Sequence, residues 1–325
     1  MIRKTILAAL LALLAASPGA QAQTRLRFSS AAPPSDFLAK AMVAFKDAVD
    51  KAAPGQFDIS LHPGSTLFRQ GTEIPALQRG TLEMSTGTTF EVAQQIPQWG
   101  FFNRAYLIRD YKHLRRIFDG PLGDEYRRQV ADKMGIEILA VGYLGTREVN
   151  LRARREVRGP QDLSGVKMRM PADPEWLLLG RAIGVSPVPM GMAEVYLALK
   201  TGTIDGQENP LTILWAAKFY EVTQQVVLTH HLVQPVFFDI AAPVWNRLTD
   251  AQKAVLRDAA RAALAGNDQA RLADEQRVLD ALKAKGLTVT EVDLDAFRKH
   301  ADEIYAASPI SAAWDKALMQ EAAGQ

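Results

Sequence analysis

Three short stretches of this 325-residue chain gather side chains able to bind or transform a small molecule. Gly145-Thr146-Arg147 directly follows an apolar run that ends near Tyr143. Leu163-Ser164-Gly165-Val166-Lys167-Met168-Arg169-Met170-Pro171 places an arginine inside a predicted strand. Asp205-Gly206-Gln207-Glu208-Asn209-Pro210 is a turn-rich segment after a helix. Guanidinium is a planar fork that meets a carboxylate bidentately and stays charged at any relevant pH. Open α/β sheets bind ligands beyond the carboxyl ends of their strands, so an arginine there suits carboxylate capture. A buried arginine without a partner is costly. Arg169 is therefore either the anchor of an anionic ligand or half of an internal ion pair, with Glu175 or Glu208 as the partner. Asn209 can both donate and accept hydrogen bonds, although Asn-Pro is also an ordinary turn.

Catalytic signatures are sparse. The five histidines are His62, His113, His230, His231 and His300. None stands at a zinc-binding spacing, and the adjacent pair would point to opposite faces of an extended segment. There is no nucleophile elbow, phosphate-binding loop or dinucleotide fingerprint. Neither a metal nor a cofactor is expected. An enzyme acting on a carboxylated substrate would have Glu208, beside Asn209, as its candidate base; the balance favours a binder.

Positioning such groups requires a scaffold, and the periodicity supplies one. Leu26 and Phe28 alternate with Arg25 and Arg27 as in a half-buried strand. Ser35 is placed to cap a helix carrying Leu38, Met42, Phe45 and Val49 on one face. Phe57, Ile59 and Leu61 alternate again, and a second helix ending near Gly80 leads to a strand around Leu82 to Ser85. The rhythm repeats after a helical stretch from Tyr111 to Met134. Strands follow at Ile136 to Tyr143 and Val166 to Met170, then helices at Pro174 to Ile183 and Met192 to Lys200, the last stopped by Gly202. This β-α-β alternation predicts a mostly parallel sheet covered by helices. From Leu248 to Lys285 an alanine-rich helical pattern runs without proline, with Gly266-Asn267 as a possible break.

The first residues read as a signal peptide: Arg3 and Lys4, an apolar run from Ile6 to Ala16, and Ala20-Gln21-Ala22 as the cleavage site. The run is well short of the about 20 apolar residues that a bilayer span needs. Removing it takes two cations from 38 Lys+Arg and leaves 36 of each sign. A formally neutral chain offers no general attraction for nucleic acid or anionic membranes. The local cluster Arg152, Arg154, Arg155 and Arg158 reads as a solvated face. With no cysteine, stability must come from packing rather than disulfides.

From Gly145 to Pro210 the motifs GTR, DLSGVKMRMP and GVSPVPMGMAEVYLALKTGTIDGQENP, followed by KFYEV and Thr229-His230, occur in an order and spacing that resembles the DctP-type solute-binding proteins of TRAP (tripartite ATP-independent periplasmic) transporters. The resemblance implies a two-lobed α/β periplasmic-binding-protein fold with mixed sheets, crossing strands and a long helix spanning both lobes. It implies a signal peptide at 1–22, lobe I at 23–145 plus 235–273, and lobe II at 146–234 plus 274–325. It places the carboxylate-binding arginine on Arg169, a second pocket arginine on Arg147, the pocket asparagine on Asn209 and an apolar wall residue on Met192. Ala31 and Thr88 stand where sialic-acid binders of the family carry longer polar groups, which argues against sialic acid. Trp176, Trp215, Phe237 and Phe238 are candidates to line a cleft for an aromatic or less hydroxylated acid, or else core aromatics. The expected partners are a small carboxylate and the permease subunits of a TRAP transporter, with a periplasmic monomer as the default; a C-terminal helix from Ala312 to Ala323 offers a dimerisation route. A sensory ligand-binding module is the alternative role.

Overall fold

The computed structural model describes residues 23–325; the signal-peptide segment lies outside them. Nine strands form one mixed sheet: β1 (Thr24–Ser29), β2 (Phe57–His62), β3 (Met84–Gly87), β4 (Ile136–Leu151), β5 (Lys167–Met170), β6 (Ser186–Pro189), β7 (Gly206–Pro210), β8 (Gln225–Ala241) and β9 (Thr288–Glu291). Their order is β2-β1-β3-β8-β4-β7-β5-β6, with β9 beside β8. The β-α-β units are parallel as expected, β1 with β2 and β3, and β5 with β6 and β7. The sheet as a whole is mixed because β4 and β8 run antiparallel through its middle. These two strands exceed their sequence signal: β4 continues past Tyr143 through Gly145, Thr146 and Arg147 to Leu151.

The long pair joins two halves. Residues 136–146 of β4 meet 233–241 of β8 next to β3, whereas 147–151 meet 225–232 next to β7. Register shifts fall at Tyr143/Gly145 and Arg147/Val149. Such bulges bend a strand and re-aim its side chains. Gly145 makes the first one possible, since its φ is +134° and a Cβ there would lie 2.5 Å from Pro210 Cβ.

Helices cover both faces: α1 (Phe37–Ala52), α2 (Glu73–Gln78), α3 (Thr89–Ala93), α4 (Tyr111–Asp119), α5 (Pro121–Met134), α6 (Pro174–Ala182), α7 (Val195–Thr201), α8 (Leu211–Ala216), α9 (Ala242–Trp245), α10 (Asp250–Ala284), α11 (Leu294–Ala306) and α12 (Lys316–Gly324). The stretch from Tyr111 to Met134 is two helices because Gly120-Pro121 breaks it. Asp36, rather than Ser35, caps α1. The 35-residue α10 is uninterrupted, about 50 Å long. Its Asn267 and Asp268 hold the backbone carbonyl and N–H of Tyr143 at 2.9 and 2.7 Å, the point where the β4 bulge begins. Asn267, read with Gly266 as a helix break, is thus part of a clamp on the crossing strand.

The segment 274–325, expected to lie wholly in lobe II, divides in its packing. α11 packs on α6, with His300 Nε2 bonded to the Arg181 carbonyl at 3.2 Å. α12 instead returns to α4, where His113 meets the Ala322 carbonyl at 2.8 Å and Arg109 donates to that of Ala323 at 2.7 Å. Ala322, on the helix considered for dimerisation, is buried against its own chain.

Candidate functional site

Between the two halves lies a cleft enclosing about 710 Å³ of empty space, its mouth included. That is the size of an ordinary small-molecule site. Arg147, Arg169, Asn209, Met192, Thr88 and Trp176 all line it.

Arg169 sits in β5 and is 1% exposed. Its Nε donates to the Met190 carbonyl at 2.8 Å and its Nη2 to Gln70 Oε1 at 2.7 Å. Gln70 Oε1 also accepts from Met192 N–H at 2.9 Å, so one neutral amide bridges the walls. No carboxylate pairs with Arg169 among the described residues; neither Glu175 nor Glu208 does. Burial pulls its pKa down to about 9 despite the more distant Glu208. A buried cation left without an acid is the feature that an incoming anion would satisfy.

Arg147 is the paired arginine. Its Nε and Nη2 grip the Glu208 carboxylate, Nη2 also reaches the Glu208 carbonyl at 2.7 Å, and Nη1 donates to Gln234 Oε1 at 2.7 Å. Its guanidinium lies 4.6 Å from the Trp176 ring centre, and Trp176 in turn stacks on Phe90 at 3.6 Å. Glu208 is fully buried behind Arg147 and does not line the cleft. Burial would raise its carboxyl, but Arg147 and a 3.0 Å contact from His231 outweigh that and hold it below the ordinary range. As a candidate base Glu208 is therefore misplaced: its two oxygens are spent on Arg147 and His231. The Asp-Gly-Gln-Glu-Asn-Pro segment is also mostly strand rather than turn, since β7 pairs Arg147 with Pro210 and Glu148 with Asn209. Asn209 is held by Gln207 at 2.6 Å.

Phe237 is removed from the cleft. It is fully buried against Phe118 and Tyr126, while its neighbours Gln234 and Val236 line the cleft. Phe238 packs on Phe28 at 4.8 Å, and Trp215 stacks on Tyr220 at 4.7 Å. Thr88 caps α3 and its hydroxyl bonds Glu91. Gln70, Glu73, Glu91 and Gln234 were not legible as site residues. Only Glu91 left a trace, in the Thr-x-x-Glu capping box with Thr88.

Contacts outside the cleft lining join segments distant in sequence. Arg69 pairs with Glu194 at 2.9 Å on the exposed surface, and Gln94 bonds Asp173. In the interior, Glu175 on α6 accepts from Trp314 Nε1 at 3.2 Å. Burial pushes the Glu175 carboxyl from 4.5 up to about 7, only partly opposed by Trp314. A carboxyl raised on folding favours the folded state below its unfolded pKa, and that advantage is lost as pH rises through the folded value. Glu175→Gln should therefore flatten part of the fall in melting temperature between pH 4.5 and about 7. Parallel pH–melting curves of the two proteins would test this, and identical slopes would refute it.

Residues 28–311 match the family described as bacterial extracellular solute-binding protein, family 7 (DctP). The structure is similar to a TRAP periplasmic solute binding protein from Roseobacter denitrificans with bound 3-deoxy-D-manno-oct-2-ulosonic acid, at 37% identity and a TM-score of 0.88, covering 93% of this chain and 99% of that one. A Bordetella TRAP periplasmic solute binding protein, its density assigned as pantoate, gives 32% identity and a TM-score of 0.85 with the same coverage. The 2,3-diketo-L-gulonate-binding periplasmic protein YiaO of Escherichia coli is 32% identical over 289 residues, 88% of this chain and 87% of YiaO. With its two-halved fold, its crossing strands and a family match spanning most of its length, the chain belongs to bacterial extracellular solute-binding protein family 7, the solute receptors of TRAP transporters.

Proposed function

We propose that this protein is a periplasmic receptor for a small organic acid, which it delivers to the permease of a TRAP transporter. The observation that carries the reading is Arg169, buried in the cleft wall with hydrogen bonds to neutral groups only. The ligand carboxylate takes the free N–H donors along one edge of that guanidinium. Arg147, held rigid by Glu208 and Gln234, offers a second contact, and Asn209 adds a polar one. Met192, Trp176 and Thr88 form walls around the rest of the molecule. Acids named with the relatives, an octulosonate, pantoate and a diketogulonate, support a carboxylate as the common handle.

Two lobes, 23–145 with 235–273 and 146–234 with 274–325, close over the ligand as a monomer. Closure follows because the bound acid contacts both sides and so favours the closed state. The test is a thermal-shift screen of residues 23–325 against organic acids. A ligand at a thousand times its Kd should add about 4 kcal/mol of stability. A shift with one acid that disappears in the Arg169→Ala protein supports the reading; catalytic conversion of that acid during incubation would overturn it.

A further inference from the structure

The cleft has a second charged feature that a carboxylate does not address. Glu73, at the start of α2, and Glu91, in α3, line it together with the two arginines. Neither glutamate pairs with a lysine or arginine among the described residues. Glu73 accepts only from backbone N–H groups, including Gly71 at 2.9 Å, and Glu91 from the Thr88 N–H and hydroxyl. Asp239 stands behind Glu91, fully within the protein, and one of its oxygens has no partner. Gly87 makes room for it, since a Cβ there would fall 2.1 Å from Asp239 Oδ2.

Burial, and then mutual repulsion, drives these acids toward their neutral forms: Glu73 up to about 7, with Glu91 adding to its shift, and Asp239 well above its ordinary value. Glu91 is raised too, by burial first and with Asp173 contributing. Arg169 and the two glutamates line the same cleft without pairing with one another. Arg147 is offset by Glu208, and a ligand carboxylate would offset Arg169. Glu73 and Glu91 have no cation beside them among the described residues.

We infer that the acid this receptor takes is a zwitterion, with its carboxylate on Arg169 and a protonated amine remote from it against Glu73 and Glu91. This rests on the reading of the cleft as a carboxylate receptor. An ammonium group brings three donors and a full charge. A hydroxyl brings one donor and no charge, so it leaves Glu73 and Glu91 drawn toward their neutral forms, and charge-assisted hydrogen bonds are roughly twice as strong as neutral ones. The amine also favours ionised Glu73, so binding near neutral pH releases protons to the buffer.

The experiment is calorimetric titration of residues 23–325 with ω-aminoalkanoates, ω-hydroxyalkanoates and plain alkanoates matched in chain length, each in two buffers of different ionisation enthalpy. The aminoalkanoate of the fitting length should bind at least about tenfold more tightly than its hydroxy partner, as a gained charged contact implies. It should also release protons, whereas the hydroxy acid should not. Glu73→Gln and Glu91→Gln should reduce that preference, while dependence on Arg169 persists. Glutamine at position 91 can keep the capping box, so loss of fold is not the expected result. Hydroxyalkanoates binding equally well, with Arg169 still required, would overturn the zwitterion and leave the carboxylate receptor standing. Preference surviving both glutamine variants would overturn the assignment to Glu73 and Glu91. No binding by any series to the folded protein would overturn the zwitterion, and a silent organic-acid screen alongside it would count against the receptor as well.

Discussion

Arg169→Ala yields a folded protein that no longer holds an organic acid. Two terms set the size of the effect. The guanidinium is 1% exposed, so the pair it forms with a carboxylate is shielded from water. Removing one member of such a pair strands the other, at a cost of roughly 3–5 kcal/mol. That is a loss of about 150- to 5,000-fold in affinity. The ligand-free protein should tolerate the change, because the variant removes a buried cation that only Gln70 and the Met190 carbonyl satisfy. Binding and stability thus move in different directions, as happens where function maintains a strained group. Arg147→Ala should behave differently: it unpairs the fully buried Glu208 and lowers stability as well as binding. Titration calorimetry with the acid found in the screen, beside melting curves of the ligand-free proteins, separates the two cases. Unchanged affinity in Arg169→Ala would remove the anchor from the proposal.

The extent of legibility in the sequence follows from the physics of each element. Short strands and amphipathic helices announce themselves by period, and α1, β5 and α10 lie close to where that period puts them. The crossing strands do not, because β4 and β8 are buried along almost their whole length and lose the alternation that a half-exposed strand shows. For the same reason Gln-Glu-Asn-Pro looked like a turn, although its side chains are enclosed in β7. Arg147 and Arg169 both read as candidates for carboxylate binding, and both line the cleft. Which of them would be internally paired was not readable, since that depends on β7 delivering Glu208 to one and not the other. Gln70, Glu73 and Gln234 come from a loop, a helix start and a mid-strand position, and their local sequence carries no signal for a shared cleft. Phe237 shows the converse limit: an aromatic's type does not say which face of its strand it occupies.

The largest stability effect expected outside the cleft is at Asp36. This carboxylate accepts from the Leu38 N–H at 2.9 Å, capping α1, and from Arg271 of α10. Both charged side chains are fully enclosed. Arg271 also donates to Asn267 at 2.9 Å and to Thr212 on α8 at 2.6 Å, so it ties the start of α1 to a helix from the other half of the sheet. Leu38 and Ile213, next to these contacts, line the cleft. Asp36→Ala leaves the Arg271 charge buried without its acid and should cost roughly 3–5 kcal/mol. The lost cap accounts for only about 1 kcal/mol of that, and Asp36→Asn distinguishes the contributions because asparagine caps nearly as well. If charge dominates, Asn and Ala variants should melt at similar temperatures, both on the order of 10 °C below the parent. If capping dominates, Asn should recover most of the loss. Since Arg271 reaches both halves of the sheet, a charge-dominated result would place part of the closed form's stability in α10, the helix that spans them.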